Sequence, residues 1–174
     1  DELILSFRPE LNPLSDWYNG YTYLDTLNPE AVREFIRITH EAYLRNIGTE
    51  FAKTVPGIFT DEPSYGRVLW PREPRFPSSF VVDKVGIANP WTGRLPAVFK
   101  KRYGYDILRV LPEVFYNYAG EQVSRARYHY FDCLTHLFVD AFARQIGEWC
   151  DRHHMLHTGH VLNEGTCTNQ TNAV

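Results

Sequence analysis

Apolar residues recur along this chain with two different spacings, and the switch between them predicts its elements. Asn28-Pro29-Glu30 supplies an N-cap, a proline suited to a first helical turn and an early acid. Val32, Phe35, Ile36, Ile38, Thr39, Ala42, Tyr43 and Ile47 follow at mostly three- and four-residue steps, and Gly48 closes the run. The spacing predicts an amphipathic helix over 29–47. Val55 to Thr60 is a short apolar run between breakers, the length of a buried parallel strand. Residues 63–96 hold six of the eleven prolines and read as a long loop, with a short strand at Phe80–Val82. Helices are expected from Pro96 to Tyr103 and from Ile107 to Tyr116, divided by Gly104-Tyr105-Asp106. Between Glu121 and His153 a helical stripe runs through Val123, Ala126, Tyr130, Leu134, Leu137, Phe138, Ala141, Phe142, Ile146 and Trp149. Met155 to His160 is a second short strand. Nearer the start, Leu3–Phe7 reads as a strand, and Asn19-Gly20 marks a turn within the aromatic segment Trp17–Leu24.

Strands alternating with helices imply an α/β chain with parallel strands and right-handed crossovers. A closed (β/α)8 barrel takes about 250 residues. The 174 residues here are read as a single domain that forms part of such a TIM barrel. It would supply two or three βα units with a long inserted loop and a long helix. The chain opens on Asp1 and stops at Val174 without a capped helix or charged tail, which suggests a piece of a longer protein. An open barrel piece exposes sheet edges and apolar helix faces. A homo-oligomer burying the Val123–Trp149 stripe or a sheet edge is therefore expected.

Composition narrows the function classes. The net charge of −3 gives no global basic field for nucleic acid, and no apolar run reaches bilayer length. Nothing in the chain assigns a cellular compartment. Cys133, Cys150 and Cys167 are odd in number, lack a Cys-x-x-Cys partner and read as buried apolar groups. Phosphate-binding glycine loops, a serine nucleophile elbow and a dinucleotide fingerprint are absent.

Asp61 and Glu62 stand where the first apolar strand gives way to a loop, the place where ligand sites gather in α/β folds. Alternation along a strand sends neighbouring side chains to opposite faces, so one of the two faces a ligand. Helix capping or a loop salt bridge is the bland alternative. Glu164 stands four residues beyond the second strand. Two carboxylates at the ends of neighbouring parallel strands could flank one glycosidic bond, one protonating the leaving oxygen while the other activates water or attacks. His157-x-x-His160 has a spacing found in metal sites, but no third ligand of obvious type lies near. Hydrogen bonding to a ligand hydroxyl, or burial as a satisfied core histidine, is the preferred reading. His153 and His154 read as cations at a helix C-terminus. Tyr65, Trp70 and Trp91 are candidates for stacking on sugar faces or for packing anchors.

Several segments form an ordered set: Gly57-Ile58-Phe59-Thr60-Asp61-Glu62-Pro63, Trp91-Thr92, Phe99-Lys100-Lys101-Arg102-Tyr103-Gly104-Tyr105-Asp106, Arg127-Tyr128-His129-Tyr130-Phe131-Asp132, Glu148-Trp149-Cys150, and Thr158-Gly159-His160 followed by Glu164. This set resembles the catalytic barrel of bacterial glycoside hydrolases of the alpha-L-rhamnosidase type, glycoside hydrolase family 106 and its relatives, over most of residues 25–165. The resemblance implies a (β/α)8 barrel, acid–base hydrolysis with inversion, and in some members a calcium ion beside the sugar. By position, Glu62 matches the acid after the Phe-Thr-Asp-Glu-Pro strand, and Glu164 the acid after Thr-Gly-His. The departure is length. Later strands that bring the second catalytic carboxylate in the family are absent, which leaves Glu164 as a base or as a substrate or metal ligand. The large retaining β-glycosidase clan fits less well, because its acid follows Asn whereas Asp61 precedes Glu62 here.

The expected function is therefore a fragment of a glycosidase acting on a carbohydrate, with little or no turnover when isolated. Glu62 and Glu164 are the catalytic candidates, and Asp61, Tyr65, Trp91, His157, His160 and Asn163 the substrate-binding ones. Pleating turns Asp61 away from Glu62, toward a sugar hydroxyl or a loop-positioning role. The competing readings are a carbohydrate-binding module without turnover and a structural segment whose carboxylates cap helices.

Overall fold

The computed structural model describes residues 5–65, 88–116 and 124–160. In chain order the elements are α1 (Pro29–Ile38), α2 (His40–Ile47), β1 (Gly57–Asp61), α3 (Leu95–Tyr103), α4 (Leu111–Phe115), α5 (Arg125–Phe138), α6 (Arg144–Arg152) and β2 (Leu156–His160). Contacts divide the chain into two compact units, one of Asn12–Tyr65 with Leu134–Val174, the other of Asp1–Leu11 with Gly66–Cys133.

The first of these units carries both strands. Asn28 accepts a hydrogen bond from the Glu30 backbone N–H at 3.0 Å and Pro29 follows it, so α1 starts where the sequence signals it. The expected single helix over 29–47 is two helices. Thr39, at φ −98° and ψ −68°, separates them, and the Phe35 carbonyl accepts from both the Thr39 backbone N–H at 2.9 Å and Thr39 Oγ1 at 2.7 Å. Val32 and Ile36 of α1 and Ile146, Trp149 and Cys150 of α6 are buried, and α1 packs on α6. Two polar bonds tie α6 to the helices before it: Gln145 Nε2 donates to the Pro29 carbonyl of α1 at 3.1 Å, and Trp149 Nε1 donates to Glu41 Oε1 of α2 at 2.7 Å.

β1 and β2 are hydrogen-bonded parallel neighbours, with Gly57 opposite Leu156 and Asp61 opposite His160. Both strands lie within a residue or two of the expected Val55–Thr60 and Met155–His160. Their pairing sends both C-terminal ends to one edge. His154, at φ 57°, reverses the chain between α6 and β2, and the Leu156 N–H donates to the Pro56 carbonyl at 2.9 Å to open the ladder.

The helix expected to run unbroken to His153 is interrupted. α5 ends at Phe138, one π turn covers Val139–Ala143, and α6 takes over at Arg144. Of its apolar stripe, Ala126, Tyr130, Leu134, Leu137, Phe138, Ala141, Phe142, Ile146 and Trp149 are buried. Residues 5–7 form no strand, and Ile107–Arg109 is a short 3-10 turn rather than the start of a longer helix. The expected strand at Phe80–Val82 and residue Trp70 lie outside the described residues.

In the other unit Leu95, Phe99, Ile107, Val114, Ala126, Tyr130 and Cys133 are buried. Arg127 is 4% exposed, and its guanidinium donates to the carbonyls of Val114 at 3.1 Å and Tyr116 at 2.6 Å, satisfying the orphan acceptors at the end of α4. Arg127→Leu keeps apolar bulk and strands those carbonyls. The expected cost is about 2–4 kcal/mol, read as a fall in the denaturation midpoint, with Arg127→Lys recovering only part of it.

Candidate functional site

The C-terminal edge of β1 and β2 brings Asp61, Glu62 and His160 together. Register and pleat place Phe59, Asp61, Thr158 and His160 on one face of the sheet, and Ile58, Thr60, His157 and Gly159 on the other. On the first face His160 Nδ1 lies 3.3 Å from Asp61 Oδ1, and the His160 ring meets Phe59 edge-on with centroids 5.1 Å apart. The Phe59 and Leu156 residues are 55% and 68% exposed, so this face is open among the described residues. Both members of the Asp61–His160 pair are exposed as well, and such a pair orients a side chain more than it stabilises the fold.

Glu62 has φ 46°, in the left-handed region that glycine occupies freely and a residue with a Cβ does not. A conformation of this kind costs on the order of 1–3 kcal/mol and persists where its surroundings over-determine it. Here they do so from both sides. The Glu62 N–H donates to the His160 carbonyl at 3.2 Å, extending the parallel ladder one residue past Asp61. Beyond it, Pro63 is buried, the Ser64 N–H donates to Tyr23 Oη at 3.0 Å, and Thr26 Oγ1 donates to the Ser64 carbonyl at 2.7 Å. Burial holds the Tyr23 phenol above its ordinary value and so keeps it neutral. The turn carrying Glu62 is thereby clamped between β2 and the segment preceding α1.

Close approach of the strands depends on Gly159. A Cβ there would sit 2.0 Å from the Thr60 carbonyl oxygen. That requirement gives the Thr158-Gly159-His160 sequence a reason in backbone packing, apart from any ligand.

The remaining candidates are placed differently. His157 lies on the face opposite His160, with its ring beside Gly147 of α6 and its Nε2 3.4 Å from Thr60 Oγ1. The two histidines of the His-x-x-His spacing thus point to opposite sides of β2 and do not share a metal. Tyr65 is half-buried, its ring edge-on to Phe138 at 5.7 Å, and burial pushes its phenol up to about 12 against the bond it makes with Thr135. Trp91 is half-buried in the other unit. Glu164 and Asn163 lie outside the described residues.

Among the described residues no three His, Cys, Asp or Glu side chains form a group able to hold a metal ion. No helix among the described residues is long and apolar enough to cross a membrane.

Two features of this region escaped the sequence reading. One is the left-handed backbone at Glu62, for which a sequence of Asp-Glu-Pro gives no sign. The other is His40 at the start of α2, 4% exposed and enclosed by Phe35 and Trp149. Its signal was present: His40 stands four residues after the buried Ile36 on the apolar side of a helical pattern. Comparison of the chain with family models, with curated proteins and with solved structures returns no match.

Proposed function

We propose that this chain is part of the catalytic barrel of a glycoside hydrolase, with Glu62 as the general acid. The observation that carries the reading is Glu62 itself: a carboxylate on a left-handed backbone, clamped on both sides, at the C-terminal edge of a parallel strand pair. Strained residues held by their surroundings cluster at active sites, and barrel enzymes place their catalytic groups at this edge. In the proposed reaction Glu62 gives its proton to the glycosidic oxygen as the bond to the anomeric carbon breaks. Asp61, oriented by His160, accepts from a sugar hydroxyl. Glu164 is the proposed second carboxylate, activating water or contacting the sugar. Phe59, beside His160 and exposed, offers an aromatic ring for the apolar side of a sugar.

The finer assignment, an alpha-L-rhamnoside as substrate, rests on the motif resemblance alone. The test is incubation of the protein containing the whole barrel with a panel of aryl glycosides and oligosaccharides. Release of aglycone or reducing sugar from one sugar class is the expected result. Binding without release would replace this reading with the carbohydrate-binding one, and neither binding nor release would overturn both.

A further inference from the structure

Ahead of α1 the chain makes a tight turn that holds an aromatic ring in water. Ser15 and Tyr21 pair as an antiparallel bridge, with the Ser15 N–H donating to the Tyr21 carbonyl at 3.1 Å and the Gly20 N–H to the Ser15 carbonyl at 3.0 Å. Between them Asp16–Tyr18 forms one 3-10 turn, and Ser15 Oγ accepts from the Trp17 N–H at 3.2 Å. Asn19 and Gly20, at φ 55° and 79°, bring the chain back. The backbone around Trp17 is thus fixed on both sides, and what it presents is an indole 88% exposed. Tyr21, also exposed, adds a second ring to the same turn. A large aromatic side chain contributes to folding by leaving water, so a turn built to keep one in water contributes through what the ring meets there.

The neighbouring residues select a ligand. A flat indole suits the C–H face of a pyranose ring. Asp16 and Asn19, both exposed, flank Trp17 in the turn with short polar side chains of the kind that hydrogen-bond sugar hydroxyls. No lysine or arginine occurs between Arg8 and Arg33, whereas Glu10, Asp16, Asp25 and Glu30 do. This segment therefore offers no counter-charge to a phosphate or an acidic polymer, and a neutral glycan fits it.

The turn is also joined to the candidate site. The Tyr18 ring packs on that of Tyr23, with centroids 5.1 Å apart, and Tyr23 Oη accepts from the Ser64 N–H at 3.0 Å, two residues past Glu62. We propose that Trp17 is a sugar-binding residue: its indole stacks on a pyranose unit of a neutral oligosaccharide that extends to the Glu62 edge. The placement toward Glu62 rests on the glycosidase reading, while the stacking itself needs no turnover.

The experiment is affinity electrophoresis of the full chain in gels holding dextran, galactan, arabinan, xyloglucan or galactomannan, with polygalacturonate as the acidic control. At least one neutral polysaccharide should retard the native chain, and tryptophan emission should change as that polysaccharide is added. Trp17→Ala should weaken the binding about tenfold and abolish the emission change, with Trp17→Tyr recovering part of the affinity. Tyr43→Ala, which removes an exposed ring from α2, should bind as the native chain does. Retardation by none of the neutral polysaccharides, by polygalacturonate alone, or equally in Trp17→Ala overturns the proposal, as does self-association through Trp17 in sedimentation without glycan binding. If Trp17→Ala does not fold, the native chain decides: oxidation of Trp17 by N-bromosuccinimide, located by peptide mass, slows under the bound polysaccharide if the proposal holds, and an unchanged rate overturns it. The two readings fail separately. Binding that depends on Trp17 supports the stacking role even where the protein containing the whole barrel hydrolyses nothing, and hydrolysis by that protein without such binding overturns the stacking role and leaves Glu62 in place.

Discussion

Glu62→Gln is expected to slow hydrolysis of glycosides with poor leaving groups by about a thousandfold, and of nitrophenyl glycosides by about tenfold or less. The contrast follows from what a general acid does. A sugar alkoxide is a strong base and leaves only if a proton reaches it in the transition state. A nitrophenolate is stable enough to leave unprotonated. Glutamine matches glutamate in size, its amide holds no transferable acidic proton, and its backbone N–H still donates to the His160 carbonyl, so the turn should persist. The comparison therefore separates loss of a proton donor from loss of structure. Equal slowing of both substrate types would remove Glu62 from the acid's role. Unchanged rates for both would remove it from the site. Unfolding midpoints of the native protein and the Glu62→Gln variant should agree within about 0.5 kcal/mol, since an exposed side chain has changed by one atom.

Much of the frame was legible because local chemistry decides it. Asn28-Pro29-Glu30 starts α1 through a side-chain cap that any helix would use there. Short apolar runs between breakers gave both strands, and their parallel pairing followed from the alternation with helices. The breaks were not legible. α1 gives way to α2 at Thr39, whose hydroxyl and N–H share the Phe35 carbonyl, while the apolar spacing runs on without interruption. At Val139–Ala143 the stripe passes through Phe138, Phe142 and Ile146 at four-residue steps, which a π turn satisfies as readily as an α-helix does. Asp61 and His160 were legible as site candidates from their place at strand ends. That they pair, and that His157 points the other way, required the register, since a shift of one residue exchanges the faces.

The same register makes Gly159 the residue on which the edge depends, and Gly159→Ala should be the most damaging single-methyl change in this region. The added Cβ would stand 2.0 Å from the Thr60 carbonyl oxygen and 2.8 Å from Thr60 Oγ1. Real Cβ atoms do not approach so closely, and the first of these neighbours is backbone, which cannot rotate aside. Relief requires β1 and β2 to part, and that breaks the bond from the Glu62 N–H to the His160 carbonyl. A cost of about 3 kcal/mol or more is expected, in the range where strain and lost ladder bonds combine. Gly93→Ala is the matched control. Nothing lies within 4 Å of its added Cβ, and its effect should stay within about 0.5 kcal/mol. Chemical denaturation compares the two variants, and amide exchange at Glu62 locates the damage: the protection of that N–H should vanish in Gly159→Ala and persist in Gly93→Ala. If the two variants are equally stable, β1 and β2 do not approach as closely as the parallel pairing requires, and the shared edge carrying Asp61, Glu62 and His160 fails with it.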